Sequence, residues 1–126
     1  GNSNWRGPIW LPMNFLIIEA LERYHHFYGE DFRIEFPTGS GQKMNLRQIA
    51  GNILERVVGI FLQDPSGHRP FQELPAGLAD DPLWRDPLLF HEYFHAETGQ
   101  GLGASHQTGW TALVATCLEK LARWND

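Results

Sequence analysis

Residues 11–28 read Leu-Pro-Met-Asn-Phe-Leu-Ile-Ile-Glu-Ala-Leu-Glu-Arg-Tyr-His-His-Phe-Tyr, and this stretch decides the fold class. Met13, Leu16, Ile17, Ala20, Leu21, Tyr24, Phe27 and Tyr28 recur with the three-and-four spacing of one helix face, while Glu19, Glu22, Arg23 and His26 take the other. Pro12 is tolerated only in a first turn, which puts the start near Leu11. Gly29 stands where a left-handed C-cap belongs. A second helix is expected over Leu46–Gln63, with Asn45 as N-cap, Gln48 at the capping-box position and Asp64-Pro65 as the stop. Its stripe is Leu46, Ile49, Ala50, Ile53, Val57, Ile60 and Phe61. Gly51 and Gly59 each cost such a helix about 1 kcal/mol against Ala, which close packing against a neighbouring backbone would offset. A third helix is expected over Gly109–Trp124, capped by Thr108, with Trp110, Leu113, Val114, Cys117, Leu118 and Leu121 on one side.

Between these helices lie weaker signals. Phe32-Arg33-Ile34-Glu35-Phe36 alternates strictly and then breaks at Pro37–Gly41, as a short strand entering a turn does. Residues 65–87 hold five prolines and are expected to be a long ordered loop anchored by Phe71, Leu74, Leu78, Leu83 and Trp84. The fold class is therefore mainly α, with long loops and a short β element.

Composition narrows the function. The 126 residues, 42% of them hydrophobic, exclude disorder and fit one domain or a piece of one. The net charge of −5 argues against a nucleic-acid or anionic-lipid partner. The most apolar stretch, Trp10–Leu21, contains Pro12, Asn14 and Glu19 and is too short to span a bilayer. A lone cysteine, Cys117, excludes an internal disulfide. A first residue of Gly, not Met, and no leader pattern suggest an excised segment. The five Trp and eight Phe are heavy for so small a core, so part of the apolar surface is expected to belong against elements that lie elsewhere.

Three constellations could carry chemistry. His91-Glu92-Tyr93-Phe94-His95 fits H-E-x-x-H, in which two histidines one helical turn apart bind zinc beside a glutamate base. That requires a helix over Pro87–Glu97 and a third ligand, for which Glu119 is the candidate. Gly99-Gln100-Gly101-Leu102-Gly103 lacks the strand-and-helix grammar of a phosphate loop and reads as a tight turn leading into the third helix. In Trp5-Arg6-Gly7-Pro8-Ile9-Trp10, an arginine flanked by indoles either contacts a sugar or a carboxylate or simply anchors the start of a helix.

Taken together, Gly1-Asn2-Ser3-Asn4-Trp5-Arg6-Gly7-Pro8-Ile9-Trp10-Leu11-Pro12-Met13-Asn14-Phe15-Leu16 and the block from Glu92 to Thr111, with Gly99, Gly101, Gly103, His106, Gly109 and Trp110, resemble the C-terminal catalytic region of glycoside hydrolase family 63. The resemblance implies that residues 1–126 are a C-terminal segment of an (α/α)6 toroid, about a quarter to a third of one at ordinary helix lengths. It implies inverting hydrolysis of an α-glucosidic or α-mannosidic bond in an oligosaccharide or small α-glycoside, without a cofactor or metal. Glu92 matches the general base, and Trp5, Arg6, Tyr93, His106 and Trp110 would line the sugar site. The family's aspartate acid lies upstream, since Asp31, Asp64, Asp80, Asp81 and Asp86 lack its context. His106-Gln107 stands where many members carry an aromatic, which bears on substrate preference. A bacterial-type, cytoplasmic member is expected, as is self-association of the fragment through exposed helix faces. The other readings are a zinc hydrolase built on His91 and His95, and a non-catalytic carbohydrate-binding helical module.

Overall fold

Two helices begin where local chemistry says they should. In the computed structural model, which describes residues 7–75 and 77–124, α1 spans Leu11–Tyr28 with Pro12 in its first turn. The carbonyl of Trp10 accepts both from the Asn14 backbone N–H and from Asn14 Nδ2, at 3.1 and 2.9 Å. Gly29, at φ +77°, closes the other end by donating its N–H to the His25 carbonyl. A hairpin follows, β1 (Arg33–Glu35) pairing antiparallel with β2 (Lys43–Asn45). Helix α2 (Leu46–Gly59) starts from a complete capping box: Gln48 N–H donates to Asn45 Oδ1 at 2.8 Å, and Asn45 N–H donates to Gln48 Oε1 at 3.0 Å. Asn45 Nδ2 also donates to Glu30 at 2.6 Å, tying the corner after α1 to the start of α2.

The long loop that follows contains a single helical turn, α3 (Pro82–Arg85), capped by the Asp81 side chain. The ribbon β3 (Tyr93–Phe94) and β4 (Gly101–Leu102) comes next. The chain then ends in the short helix α4 (Thr108–Thr111) and the longer α5 (Leu113–Trp124). The core lies between α1, α2 and α5 and beneath the ribbon. It is built from Leu11, Ile18, Leu54, Val57, Val58, Phe61, Phe71, Phe94, Val114 and Cys117, all buried. The Cys117 thiol is pushed up by this burial. At the rim of the core Lys120 of α5 reaches Glu19 and Glu22 of α1, at 2.8 and 2.5 Å. Burial works against its ammonium, yet the two carboxylates outweigh that and hold Lys120 above its ordinary pKa. Among the described residues no helix is long and apolar enough to cross a membrane.

Several expectations are corrected. Most of the stripe read on α1 faces outward: Met13, Leu16, Ile17, Tyr24, Phe27 and Tyr28 are exposed, Leu21 alone of its large residues packs against the core, and Leu11 and Ile18 are the helix's fully buried residues. The helix is apolar on both sides, and the spacing alone favoured the side with more large residues. Helix α2 ends at Gly59, four residues before Gln63, and the loop supplies partners for the carbonyls just past its end. Phe71 N–H donates to the Ile60 carbonyl at 3.2 Å, and Arg69 Nε to that of Phe61 at 3.1 Å. In that loop Phe71 is an anchor as expected, but Leu83 and Trp84 are exposed. Buried Gln72 takes their place, donating to the Pro87 carbonyl at 3.0 Å. The expected third helix is broken at Ala112, and Gln107 precedes it as N-cap without a side-chain cap bond, so Thr108 lies inside the helix. The alternation at residues 32–36 does give a strand, but all three β1 residues are exposed, and β2, hidden in the run-up to the Asn45 cap, pairs with it.

The two glycines of α2 differ. A β-carbon on Gly51 would lie 2.6 Å from Trp124 Nε1, whereas one on Gly59 would meet nothing within 4 Å. Trp124 packs on the core and under Arg47, whose guanidinium sits 4.9 Å from the indole centroid. Gly51→Ala is therefore expected to destabilise the chain by about 1–3 kcal/mol despite the better helix propensity of Ala. Gly59→Ala is expected to be neutral or stabilising by up to about 1 kcal/mol. Denaturant unfolding of the two variants measures the contrast.

Candidate active site

The segment that leads into α1 meets β3 at a pair of backbone hydrogen bonds. Ile9 N–H donates to the Phe94 carbonyl at 2.8 Å, and Phe94 N–H returns to the Ile9 carbonyl at 2.9 Å. This places the Gly7–Trp10 segment beside β3 and next to Glu92. The β3–β4 ribbon pairs Tyr93 with Leu102 and Phe94 with Gly101. Its pairing continues outward: Glu92 N–H donates to the Ala104 carbonyl at 2.8 Å, and Phe90 N–H to that of Ser105 at 3.1 Å. Glu92 is half-buried, and one of its carboxylate oxygens, Oε2, accepts from the Ala104 N–H at 3.3 Å.

Tyr93, next to Glu92 in sequence, belongs to a cluster of aromatic rings. Trp10 lies 4.8 Å from Tyr93 and meets Trp110 edge-on at 5.9 Å, centroid to centroid. The indole Nε1 of Trp110 is buried with no hydrogen-bond partner among the described residues. Helix α4 is fixed to the strand through the Thr111 hydroxyl, which donates to the His91 carbonyl in a short hydrogen bond. Thr111 is fully buried, so this bond satisfies a hydroxyl that water does not reach.

Of the site residues expected from the sequence, Glu92, Tyr93 and Trp110 are thus brought to one place. Trp5 and Arg6 lie outside the described residues. His106 is exposed on an isolated bridge with Phe90, and no ring contact joins it to Trp10, Tyr93 or Trp110 among the described residues. Trp10, Gly103, Ala104 and Thr111 were not among the expected site residues. All four stand inside the two quoted blocks, but only the pairing of residues distant in sequence shows that Gly103 and Ala104 meet Glu92, Thr111 holds His91 and Trp10 packs on Tyr93.

The zinc reading is corrected. No helix runs through residues 91–95: Tyr93 and Phe94 form a strand paired with β4, and the two histidines do not share a helix face. His91 packs its ring against Phe71 and Phe94, 6.2 and 6.3 Å between centroids. Burial pushes its imidazole below the ordinary pKa. His95 is exposed and accepts backbone N–H groups from Glu97 and Thr98. The proposed third ligand, Glu119, is paired with Arg123. Among the described residues no group of three or more His, Cys, Asp or Glu side chains is placed to hold a metal ion.

The glycine run is a tight connection, as read, although Gly101 and Leu102 within it form a strand. A β-carbon on Gly101 would strike the His91 ring at 2.2 Å. The aspartates serve the loops: Asp64 accepts from Ser66 and His68, Asp81 caps α3, and Asp86 pairs with Arg85. Hydrogen bonding from the Ser66 side chain, helped by His68, holds the Asp64 carboxyl below its usual range. What the site can do is therefore limited and specific: a half-buried carboxylate beside Tyr93 can take a proton from water, while Trp10, only 6% exposed, buttresses the Tyr93 and Trp110 rings.

Comparisons with known proteins bear on the family. Residues 1–61 match the glycosyl hydrolase family 63 C-terminal domain. An uncharacterized protein of Saccharomyces cerevisiae is 51% identical over 117 residues, which cover 91% of this chain and 11% of that protein. The mannosyl-oligosaccharide glucosidase of the same yeast is 27% identical over 90% of this chain and 11% of its own length. A probable mannosyl-oligosaccharide glucosidase of Schizosaccharomyces pombe is 29% identical, over 95% of this chain and 11% of its own. The chain thus spans about a tenth of the length of the curated relatives it matches. No solved structure matches it significantly.

The bond from α4 to the strand is open to test. Thr111→Val removes the hydroxyl and leaves the His91 carbonyl without its donor, at an expected cost of about 1–3 kcal/mol. Thr111→Ser keeps the bond and should cost less than Thr111→Val. Unfolding free energies of the two variants check the order.

Proposed function

This chain belongs to glycosyl hydrolase family 63, and from that premise we propose that it is a segment of the catalytic domain of an inverting α-glycosidase with Glu92 as its general base. The observation that carries the reading is the convergence built by the Ile9–Phe94 pair, which sets Trp10, Tyr93 and Trp110 in one ring cluster alongside Glu92. In this reading Glu92 takes a proton from a water as that water attacks the anomeric carbon. A carboxylic acid on the opposite side of the sugar, supplied by the longer protein, protonates the leaving oxygen. Inversion requires those two groups to stand about 6.5–9.5 Å apart, leaving room for the water. Asp64, Asp81 and Asp86 are engaged in loops, which supports an acid from elsewhere. The substrate class is an α-glucoside or α-mannoside, and the glucosidase names of two relatives favour the glucoside. The mainly helical segment, with α1 apolar on its outer side as well, fits two or three walls of an (α/α)6 toroid whose remaining helices cover that side.

Two outcomes test this. In the full-length protein Glu92→Gln should lower kcat by at least about a hundredfold while KM stays near wild type, because the substitution removes the base and keeps the shape. Turnover near wild type would defeat the assignment. The isolated 126-residue chain should hydrolyse no glycoside and should self-associate through the exposed face of Leu16, Ile17, Tyr24 and Phe27. Light scattering that finds a monodisperse 14.4 kDa species at high concentration would contradict the second half.

A further inference from the structure

We propose that Gly103 is a positioning residue for Glu92: the side chain it lacks is the space in which the Glu92 carboxylate is held, and the turn it makes presents the Ala104 N–H to that carboxylate. The inference rests on the reading of Glu92 as general base. A β-carbon on Gly103 would lie 2.6 Å from Glu92 Oε2, 2.9 Å from Glu92 Cβ and 2.9 Å from Tyr93 Cε1. No rotamer change relieves all three. Glu92 Cβ is fixed by the backbone bond from Glu92 N–H to the Ala104 carbonyl at 2.8 Å, and the Tyr93 ring packs at a 32° tilt against buried Trp10, 4.8 Å between centroids. The group left free to move is the carboxylate, which would swing off the Ala104 N–H that now meets it at 3.3 Å.

Gly103 also has φ +70°, a conformation that Asn tolerates far better than other side chains. The two demands on the position are therefore separable. Backbone conformation would be met by Gly or Asn, and the void only by Gly. Gly99 supplies the internal control. It lies in the same connection at φ +77°, but a β-carbon there would meet Pro70 at 3.0 Å and would not touch Glu92.

The experiment uses full-length protein and turnover of α-glucosyl fluoride and α-mannosyl fluoride, whose leaving group needs little help from an acid, so that the rate reports the base. Gly103→Ala and Gly103→Asn should both lower kcat about a hundredfold with KM within about threefold, the scale of a misplaced reacting group. Gly99→Ala should lower the melting temperature and keep kcat within about twofold. Recovery of kcat in Gly103→Asn, or an equal loss in Gly99→Ala, would reduce Gly103 to a backbone role and overturn the proposal. Failure of both Gly103 variants to fold would overturn it too, since the glycine would then serve the fold alone. Glu92→Gln in the same assay separates the layers. If it retains turnover, the base assignment has failed; if it is inactive while the Gly103 variants match wild type, only this inference has.

Discussion

Ile9 and Phe94 exchange two backbone hydrogen bonds across most of the length of the chain, and much of the candidate site follows from that exchange. Phe94 is fully buried against Phe61, so the strand is anchored from below by apolar packing and from the side by the N-terminal segment. With Phe94 held, Tyr93 meets Trp10, Trp10 meets Trp110, and Glu92 is left half-buried at the edge of the ring cluster. Such a long-range pairing carries a large loop-closure cost. It is affordable here because α1 and α2, both well capped, pack together and bring the start of α1 to the ribbon.

What was legible in the sequence was mostly what is local. The start of α1 at Leu11, its end at Gly29 and the Asn45–Gln48 capping box are settled within a few residues of each terminus, and all three are found. The end of α2 was not legible, because the groups that meet the carbonyls just past it, Arg69 and Phe71, come from a loop. The inward face of α1 was not legible either. A helix that is apolar on both sides contains two stripes, and only its neighbours decide which one meets the core. In the site, Glu92, Tyr93 and Trp110 could be named from their motif. The conformation of residues 91–95 could not, since His-Glu-Tyr-Phe-His suits a helix as well as a strand until the Gly101–Leu102 partner is known.

The ion cluster of Lys120 with Glu19 and Glu22 illustrates how the polar side of α1 is used. Of the residues that made this side look solvent-facing, Glu19 and Glu22 meet α5, and Arg23 and His26 stay exposed. Long side chains of both signs carry charge out to the rim while their stems cover the apolar interior. This frees the larger apolar residues of α1 to face away from the three-helix core, as a helix inside a larger wall of helices requires.

Cys117 gives the core a built-in reporter. Its thiol is buried between the helices and pushed toward the neutral form, so little thiolate exists and none of it is accessible to reagents. Alkylation in the native state must then wait for α5 to part from α2. Its rate measures how often the helical core opens, separately from whatever the ribbon around Glu92 is doing.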